Sequence, residues 1–267
     1  MSLRIESSSN SIYKHVKKLQ SKSARSRFNQ YIAEGKRCVS DAISNGADVE
    51  YLVVCEGVKI DFDTRNLRVY EFAPKIFDSL SLTVNSQGIV AVINYELETI
   101  TGANLSGIKT AVYLDCITDP GNMGTIIRSC DALGADAIII TKGCVDIFNP
   151  KVVRSAMASM MNIPVFVDDN PDESFSIFKT NGFSVVGTFP TGDTYSCNAS
   201  YGDKVLLVMG NEANGISDEI SKYCTSRVKI PMFGRAESLN VATALTVMLY
   251  EISRGKICKN SNDRGEV

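Results

Sequence analysis

From residue 110 onwards, short apolar runs alternate with helical patterns, and this alternation constrains the fold more than any other feature. The apolar runs cover residues 110–117, 137–141, 163–167, 183–189 and 204–209. Strands that are apolar on both sides and are joined by helices are typical of a parallel sheet covered by helices on both faces. The sequence therefore predicts an α/β fold with a parallel sheet for this region.

The helices between these runs are predicted from periodicity and from capping residues. Asp119 to Gly124 is rich in turn-forming residues, so we predict a loop there and a helix at 125–133. Asn149 followed by Pro150 predicts a helix that starts there and continues to Met160. Further helices are expected at 173–180, at 218–223 and, largely buried, at 241–252.

The first hundred residues predict a smaller α/β unit. Helical spacing indicates helices at 12–20 and 35–45, and Pro74 opens a shorter one. Residues 49–55, 67–72 and 88–95 are predicted strands. The polar segment that follows lacks periodicity and is typical of a linker. We therefore predict one domain at 1–98, a linker at 99–109, a second domain at 110–258 and a polar tail at 259–267.

Charge is concentrated near the N-terminus, although the whole chain carries only −2. The basic residues between positions 14 and 37 are Lys14, Lys17, Lys18, Lys22, Arg25, Arg27, Lys36 and Arg37. Glu34 is the one acidic residue among them, so eight positive charges less one negative leave +7. Such a stripe can neutralise nucleic-acid phosphates. A solvated helix face is the equally weighted alternative.

Several chemistries are excluded or disfavoured by residue counts. The single histidine, His15, rules out a metal site with two or three histidine ligands. The eight cysteines include no C-x-x-C pair, which favours reduced thiols in a cytosolic protein over a disulfide framework. No signal-peptide pattern or membrane-spanning run is visible. We expect a cytoplasmic protein without a metal.

Three predicted strand ends carry polar residues, at the edge where open parallel sheets bind ligands. Arg128 projects away from the apolar face of its predicted helix. Glu212 follows a strand that ends at Gly210. Ser238 and Asn240 precede the buried last helix. Each taken alone has a structural alternative: an exposed helix arginine, a simple turn and a helix cap.

Together the three segments resemble the SpoU (TrmH) family of RNA ribose 2′-O-methyltransferases. The matching positions are Asn122, Gly124 and Arg128 in the first motif, Gly210, Asn211, Glu212 and Gly215 in the second, and Ile230, Pro231, Met232 and residues 238–242 in the third. The match covers roughly residues 108 to 256. The first hundred residues resemble the family's L30e-like substrate-binding domain, through features such as Ile32-Ala33-Glu34-Gly35.

The resemblance implies a parallel α/β sheet with a C-terminal trefoil knot (SPOUT-type), preceded by the small L30e-like α/β domain. It also implies a homodimer that binds RNA and S-adenosylmethionine. The implied cofactor-binding residues are Thr188, Met209, Gly210, Ile230 and Leu239, and the implied catalytic residues are Arg128, Asn122, Glu212, Ser238 and Asn240.

The function implied is methyl transfer from S-adenosylmethionine to a ribose 2′-hydroxyl of RNA, an RNA-processing step. Ribosomal RNA is favoured, because an added N-terminal domain of this type is commoner among the ribosomal enzymes. The alternatives are a transfer-RNA ribose 2′-O-methyltransferase, a non-catalytic RNA-binding protein of the same fold, and a methyltransferase for a small molecule or protein, which the basic N-terminal region disfavours.

Overall fold

The computed structural model describes residues 3–64, 66–83 and 85–263. Its contacts divide the chain into two compact units. The first comprises Met1–Glu96 and Asp146–Asn162, and the second comprises Leu97–Val145 and Ile163–Val267. The second unit's chain is thus interrupted by residues 146–162, which the predicted boundaries place in the methyltransferase region. The boundaries near residues 98 and 110 stay predictions.

Short helices and strands follow one another through the first hundred residues. They are β1 (Leu3–Ile5), α1 (Ser11–Lys18), α2 (Lys22–Phe28), β2 (Gln30–Glu34), α3 (Lys36–Ser44), β3 (Val49–Cys55), β4 (Val69–Phe72), α4 (Pro74–Asp78), β5 (Ile89–Asn94) and β6 (Glu98–Thr99). A 3-10 turn covers Ala103–Leu105.

Strands and helices alternate through much of the chain from residue 110 onwards. The elements of this part are β7 (Thr110–Leu114), α5 (Pro120–Ala132), β8 (Ala137–Thr141), α6 (Pro150–Ala156), α7 (Ser159–Asn162), β9 (Val165–Asp168), α8 (Pro171–Thr180), β10 (Ser184–Thr188), β11 (Thr194–Tyr195), β12 (Val205–Met209), α9 (Asp218–Ser221), β13 (Ser226–Lys229) and α10 (Val241–Asp263). A second 3-10 turn covers Ser196–Asn198.

The first unit contains a five-stranded mixed sheet in the order β1-β4-β3-β5-β2. Strands β1, β4 and β3 run parallel, whereas β5 is antiparallel to both β3 and β2. Val16 of α1 and Leu19, directly after this helix, pack with Phe72 and Phe77 in the core of this unit. The predicted helices at 12–20 and 35–45 and the three predicted strands are confirmed to within a few residues.

Arg25 does not belong to the exposed basic stripe that the sequence predicts. Its side chain is buried, and its guanidinium binds Asp146 at 2.6 Å and donates to the carbonyl oxygens of Leu19 and Gln20. A buried guanidinium that is engaged in this way has a structural role and is not available to a nucleic acid. The other residues of α1 and α2 that carry positive charge are exposed: Lys14, Lys17, Lys18, Lys22 and Arg27.

The second unit contains an eight-stranded sheet in the order β11-β13-β10-β12-β7-β8-β9-β6. Every recorded strand pair in it is parallel. All five residues of β7 and of β12 are buried, as expected for central strands covered on both faces. The prediction of a parallel α/β sheet is therefore confirmed.

Two predicted boundaries are wrong for identifiable reasons. The predicted loop at 119–124 is the first turn of α5, because the Asp119 side chain caps the helix by accepting from the Asn122 backbone N–H. The predicted continuous helix to Met160 breaks at Met157, whose φ of 54° lies outside the right-handed helical region. Helix α6 therefore ends at Ala156.

The last helix is longer than the predicted 241–252. Helix α10 continues to Asp263, so the first part of the predicted tail 259–267 is helical, and residues 264–267 lie outside the described residues. Short elements with little apolar periodicity, such as α2 and β13, are not predicted from the sequence. Within the described residues no helix combines the length and apolarity that crossing a membrane requires.

Candidate functional site

The carboxyl ends of three neighbouring strands of the second unit, β10, β12 and β7, form the frame of the site. Strand β12 lies between β10 and β7 in the sheet, so the three chain segments that leave these strands start side by side. The Asp115 N–H, just past β7, donates to the carbonyl of Met209 at the end of β12. The Asp115 carboxylate accepts from the Ser217 N–H. These contacts fix the loops after both strands.

A pocket of about 230 Å³ opens at this edge of the sheet. Its walls come from the end of β10, the end of β12 with the loop after it, and the segment that runs from Ile230 into α10. The five predicted cofactor-binding residues all lie in these walls: Thr188, Met209, Gly210, Ile230 and Leu239. The structure therefore brings together residues that lie far apart in the chain.

Gly210 allows the closest backbone approach in the pocket. A Cβ at this position would lie 2.0 Å from the carbonyl carbon of Gly215 and 2.0 Å from the Ile216 nitrogen. The backbones of Asn211 and Gly215 exchange two hydrogen bonds of 2.9 Å each, which closes the loop after β12. Only glycine fits here, since no backbone segment can move away by that much without loss of these bonds.

One buried polar atom in the pocket wall has no partner in the described part of the chain. It is the hydroxyl oxygen of Thr188, at the end of β10. A buried hydroxyl without a hydrogen bond costs free energy, so native structures rarely leave one unsatisfied without a reason. The surrounding wall is largely apolar, with Met209, Ile230 and Val241. An apolar pocket with a few polar atoms is typical of small-molecule and cofactor sites.

Glu212 joins this pocket to a polar network at the start of α5. Its carboxylate accepts from the Asn122 side-chain amide at 3.0 Å and from the Asp119 backbone N–H at 3.2 Å. The backbone N–H and the hydroxyl of Thr118 also donate to it. Asn240 in turn donates to the amide oxygen of Asn122 at 2.9 Å. Three predicted catalytic residues, Asn122, Glu212 and Asn240, thus form one connected chain of hydrogen bonds.

The environment of Glu212 favours its ionised form. Partial burial acts to raise the pKa of this carboxyl, but the hydrogen bonds from Asn122 and from the backbone of Glu212, Asp119 and Thr118 outweigh it. The net result is a pKa below the ordinary value of glutamate. A negative charge is therefore present beside the pocket at neutral pH.

The two remaining predicted catalytic residues lie outside this chain of hydrogen bonds. Ser238 is exposed and lines the pocket. Arg128 is exposed on α5 and is not part of the pocket wall or of the network around Glu212. It lies about 9 Å further along the helix axis than Asn122, at 1.5 Å per residue. No carboxylate in the described residues forms an ion pair with it, so its charge is open to a ligand.

Sequence reasoning missed the backbone donors of this site. Thr118 and Asp119 hold Glu212 mainly through N–H groups, which leave no mark on residue type. The Asp-Pro pair followed by Asn122 is nevertheless the signature of a capped helix start, and it could have placed these donors. No group of three or more metal-binding side chains occurs among the residues that the structure describes.

Two protein-family models match the chain. The model described as the SpoU rRNA Methylase family matches residues 109–250. The model described as the MRM3-like substrate binding domain matches residues 10–91. The first match contains every residue of the pocket and of the network around Glu212.

Similar proteins are found both among curated sequences and among solved structures. The 23S rRNA (guanosine(2553)-2′-O)-methyltransferase RlmP of Bacillus subtilis is 32% identical over 251 residues, which cover 93% of this chain and 98% of that protein. The SpoU methyltransferase AviRb of Streptomyces viridochromogenes, solved with the cofactor AdoMet, has a TM-score of 0.82 and 29% identity, covering 93% of this chain and 98% of its own.

A third similar protein is an rRNA methyltransferase from Sinorhizobium meliloti. Its structure has a TM-score of 0.82 and is 30% identical, covering 94% of this chain and 97% of its own. The likeness in each case extends over both compact units, since more than nine-tenths of this chain is covered.

Proposed function

The chain belongs to the SpoU rRNA methylase family, and on that premise we propose that it transfers a methyl group from S-adenosylmethionine to a ribose 2′-hydroxyl of ribosomal RNA. One observation carries this proposal. Glu212 lines the pocket and also binds Asn122, so the pocket and the polar network share a residue. A ligand in the pocket and a hydroxyl at the network would therefore be neighbours.

The residues of the pocket fit S-adenosylmethionine. The apolar walls formed by Met209, Ile230 and Leu239 suit the adenine ring, and the unpartnered Thr188 hydroxyl suits a polar group of the ligand. Gly210 leaves room for a ligand to approach the backbone. When bound, this cofactor supplies a methyl group on a sulfonium, so that the carbon–oxygen bond to the ribose forms as the carbon–sulfur bond breaks.

The protein's part in the reaction is to position and to polarise the ribose hydroxyl. Asn122, held by Glu212 and Asn240, supplies a fixed amide for this purpose. Arg128 acts through its charge, because guanidinium groups keep their proton in proteins. It binds the phosphate next to the target ribose, Ser238 contacts either ligand, and the hydroxyl proton leaves to water late in the reaction.

The first unit binds RNA outside the methylation site. Its match to a substrate-binding domain supports this role, as do the exposed basic residues of α1 and α2. Binding through phosphates should weaken steeply with salt. The mixed sheet with flanking helices is consistent with the L30e-like fold that the sequence predicts for this unit.

A trefoil knot in the second unit is part of the proposal. It is supported by a close backbone approach between distant segments: a Cβ at Gly192 would lie 2.6 Å from the Val228 carbonyl carbon. The segment 230–240 then lines the same pocket as residues 188–190 and 209–215. Segments packed this tightly around one pocket are expected where the chain passes through a loop.

We also propose a homodimer that acts in the cytoplasm. Exposed apolar side chains lie before and on α10: Phe233 is 96% exposed, Tyr250 is 56% exposed, and Met232 and Leu239 are exposed beside the pocket. Apolar exposure of this kind is typical of surfaces that contact another macromolecule. Sedimentation of the purified protein tests the dimer.

The experiment that tests the function compares methyl transfer by the wild type, Arg128→Ala and Lys179→Ala. Labelled S-adenosylmethionine and fractionated unmodified RNAs are the substrates. Arg128→Ala should lower turnover at least a hundredfold and leave cofactor affinity within about twofold, because its charge acts on the substrate and in the transition state. Lys179 is an exposed charge on α8 of the same unit, and its loss should change neither quantity.

The alternatives give different outcomes in the same assay. Label in transfer RNA alone would support 2′-O-methyl transfer but contradict ribosomal RNA as the substrate. No label in any RNA, with cofactor and RNA both bound, would favour the non-catalytic RNA-binding protein. Wild-type turnover by Arg128→Ala would contradict the role given to this arginine.

A further inference from the structure

A second pocket, of about 340 Å³, lies wholly within the first unit. Its lining includes Glu34, Arg37, Cys38, Gln87, Arg154 and Met157. None of these residues belongs to the cofactor pocket or to the network around Glu212. The volume is within the range of pockets that hold small ligands. We call it the Arg154 pocket.

Arg154 is the unusual feature of this pocket. It stands in the last turn of α6, and its Nη1 atom is buried without a hydrogen-bond partner among the residues that the structure describes. Its side chain forms no ion pair with a described carboxylate. The same unit shows the contrasting case, because buried Arg25 is fully engaged by Asp146 and two carbonyl oxygens. A buried, unpaired guanidinium nitrogen is costly unless a ligand completes it.

The carboxylate in the pocket wall is already occupied. Glu34 accepts from the hydroxyls of Ser81, Thr83 and Ser86 and from the Leu82 backbone N–H. These donors satisfy the negative charge of Glu34, so it does not serve as the partner of Arg154. The thiol of Cys38 is neutral at physiological pH, because burial raises its pKa to about 11.

The start of α3 adds further positive potential to the pocket wall. Gly35 precedes the nine-residue helix α3 and gives it no side-chain cap, and Gly35, Arg37 and Cys38 at the positive end of this helix line the pocket. The Lys36 N–H is bound by the Gln87 side chain. Arg37 is 80% exposed at the rim and pairs only loosely, at 3.7 Å, with Asp41. Two arginines thus face one saturated carboxylate.

We propose that the Arg154 pocket binds a phosphoryl group of the RNA substrate, away from the methylation site. Arg154 contacts the phosphate oxygens from the buried side and Arg37 contacts them from the rim, while Gln87 and Met157 lie beside the attached nucleoside. A guanidinium fork is well matched to phosphate oxygens. RNA as the source of the phosphate rests on the proposed function, and a free nucleotide or inorganic phosphate is the other possible source of the same chemistry.

The test measures RNA binding by Arg154→Gln against a matched control, Lys151→Gln. Both residues lie on α6, and Lys151 is exposed and absent from the pocket. The probe is an unmodified 23S ribosomal RNA transcript, titrated at several salt concentrations. Arg154→Gln should weaken binding about tenfold, as expected for a charge-assisted hydrogen bond, and should lower the salt slope by about one. Lys151→Gln should weaken RNA binding and lower the salt slope by much less.

A kinetic readout separates binding from chemistry. Arg154→Gln should raise the KM for RNA and leave kcat at saturating RNA, and cofactor affinity, unchanged. Arg154→Lys keeps the charge but loses the fork, and its RNA affinity should be intermediate. Since the buried Nη1 atom of Arg154 has no described partner, Arg154→Met should unfold at a temperature equal to or above that of the wild type while binding RNA as poorly as Arg154→Gln.

Three results would overturn the proposal. The first is an equal loss of RNA affinity in Arg154→Gln and Lys151→Gln, which would mean general surface attraction. The second is unchanged RNA affinity in Arg154→Gln together with stabilisation of the wild type, but not of the variant, by inorganic phosphate or AMP, which would mean a free anion. The third is a marked fall in the unfolding temperature of Arg154→Met, which would mean a structural role.

Failure of the proposed function would look different. In that case the wild type would methylate no RNA, yet Arg154→Gln would still bind the transcript more weakly than Lys151→Gln. The phosphate site would then stand without the methyltransferase activity.

Discussion

Asn240 donates from its side-chain amide to the amide oxygen of Asn122 across 2.9 Å, although 118 residues separate the two. The Asn240 oxygen also accepts from the Ala242 N–H, so the same side chain caps α10. Helix α10 and the first turn of α5 are thereby linked through one residue. The link continues to Glu212 and so to the pocket that we propose for the cofactor.

Two variants of Asn240 should separate its roles. Asn240→Asp keeps an oxygen for the Ala242 N–H but cannot donate to Asn122, whereas Asn240→Ala loses both bonds. We expect both variants to lower kcat by one to two orders of magnitude, because Asn122 is then held by Glu212 alone and its amide is no longer fixed from both sides. Only Asn240→Ala should unfold at a lower temperature, by a few degrees, since a lost cap costs about 1 kcal/mol. Unchanged kcat in Asn240→Asp would contradict the role given to this bond.

Glu212 predicts a pH dependence of stability. Its folded-state pKa is lowered from the ordinary value of 4.5, so its contribution to stability is complete above that pH and is lost as the pH falls through the lowered value. The unfolding temperatures of the wild type and Glu212→Gln should therefore differ at pH 7 and converge at low pH. Thermal unfolding of both proteins across this range is the measurement, and a constant difference would be the contrary result.

Thr188→Val should weaken cofactor binding without lowering the stability of the cofactor-free protein. The hydroxyl has no described partner, so its removal should leave the free energy of unfolding unchanged or slightly raised. The Kd for S-adenosylmethionine should rise about fivefold, which corresponds to about 1 kcal/mol for one hydrogen bond.

Thr225→Val is the matched control for Thr188→Val. The Thr225 hydroxyl donates to the Val185 carbonyl, so its loss should lower stability and leave the Kd unchanged. If Thr188→Val bound the cofactor as tightly as the wild type, its hydroxyl would not be a ligand contact.

Gly210, in the pocket wall, and Gly234, which does not line the pocket, should respond differently to substitution by alanine. A Cβ at Gly210 would lie 2.0 Å from backbone atoms, whereas at Gly234 no atom lies within 4 Å and the backbone φ is not positive. Gly210→Ala should therefore abolish cofactor binding and lower the unfolding temperature. Gly234→Ala should change neither by a measurable amount. Calorimetric titration with S-adenosylmethionine checks both variants, and normal binding by Gly210→Ala would contradict the close approach.

The parallel sheet was predictable because its central strands are buried on both faces and so read as continuous apolar runs, as in β7 and β12. Helix α2 was not, since its one buried residue is Arg25, which gives no apolar periodicity. The inclusion of residues 146–162 in the first unit was equally invisible. It depends on contacts such as Arg25 with Asp146, between residues far apart in the chain.

At the site, the motif residues were visible in the sequence but their connections were not. Polar residues after β12 and before α10 drew attention to Glu212 and Asn240. That the two meet through Asn122 follows from the adjacency of β7 and β12, which only the folded sheet fixes. The Thr188 hydroxyl gave no signal of its own, because its importance lies in the partner it lacks. Arg128 was expected with the other predicted catalytic residues, yet it stands apart from the network around Glu212.

The proposed 2′-O-methyl transfer is tested most directly by alkaline hydrolysis of ribosomal RNA methylated by the purified wild type. Labelled S-adenosylmethionine supplies the methyl group, and the RNA is an unmodified transcript. A ribose 2′-O-methyl group blocks cleavage of the adjacent phosphodiester, so a ribose 2′-O-methyltransferase should leave the label in an alkali-resistant dinucleotide from one position. Label released entirely as mononucleotides would mean methylation of a base and would contradict the proposed function.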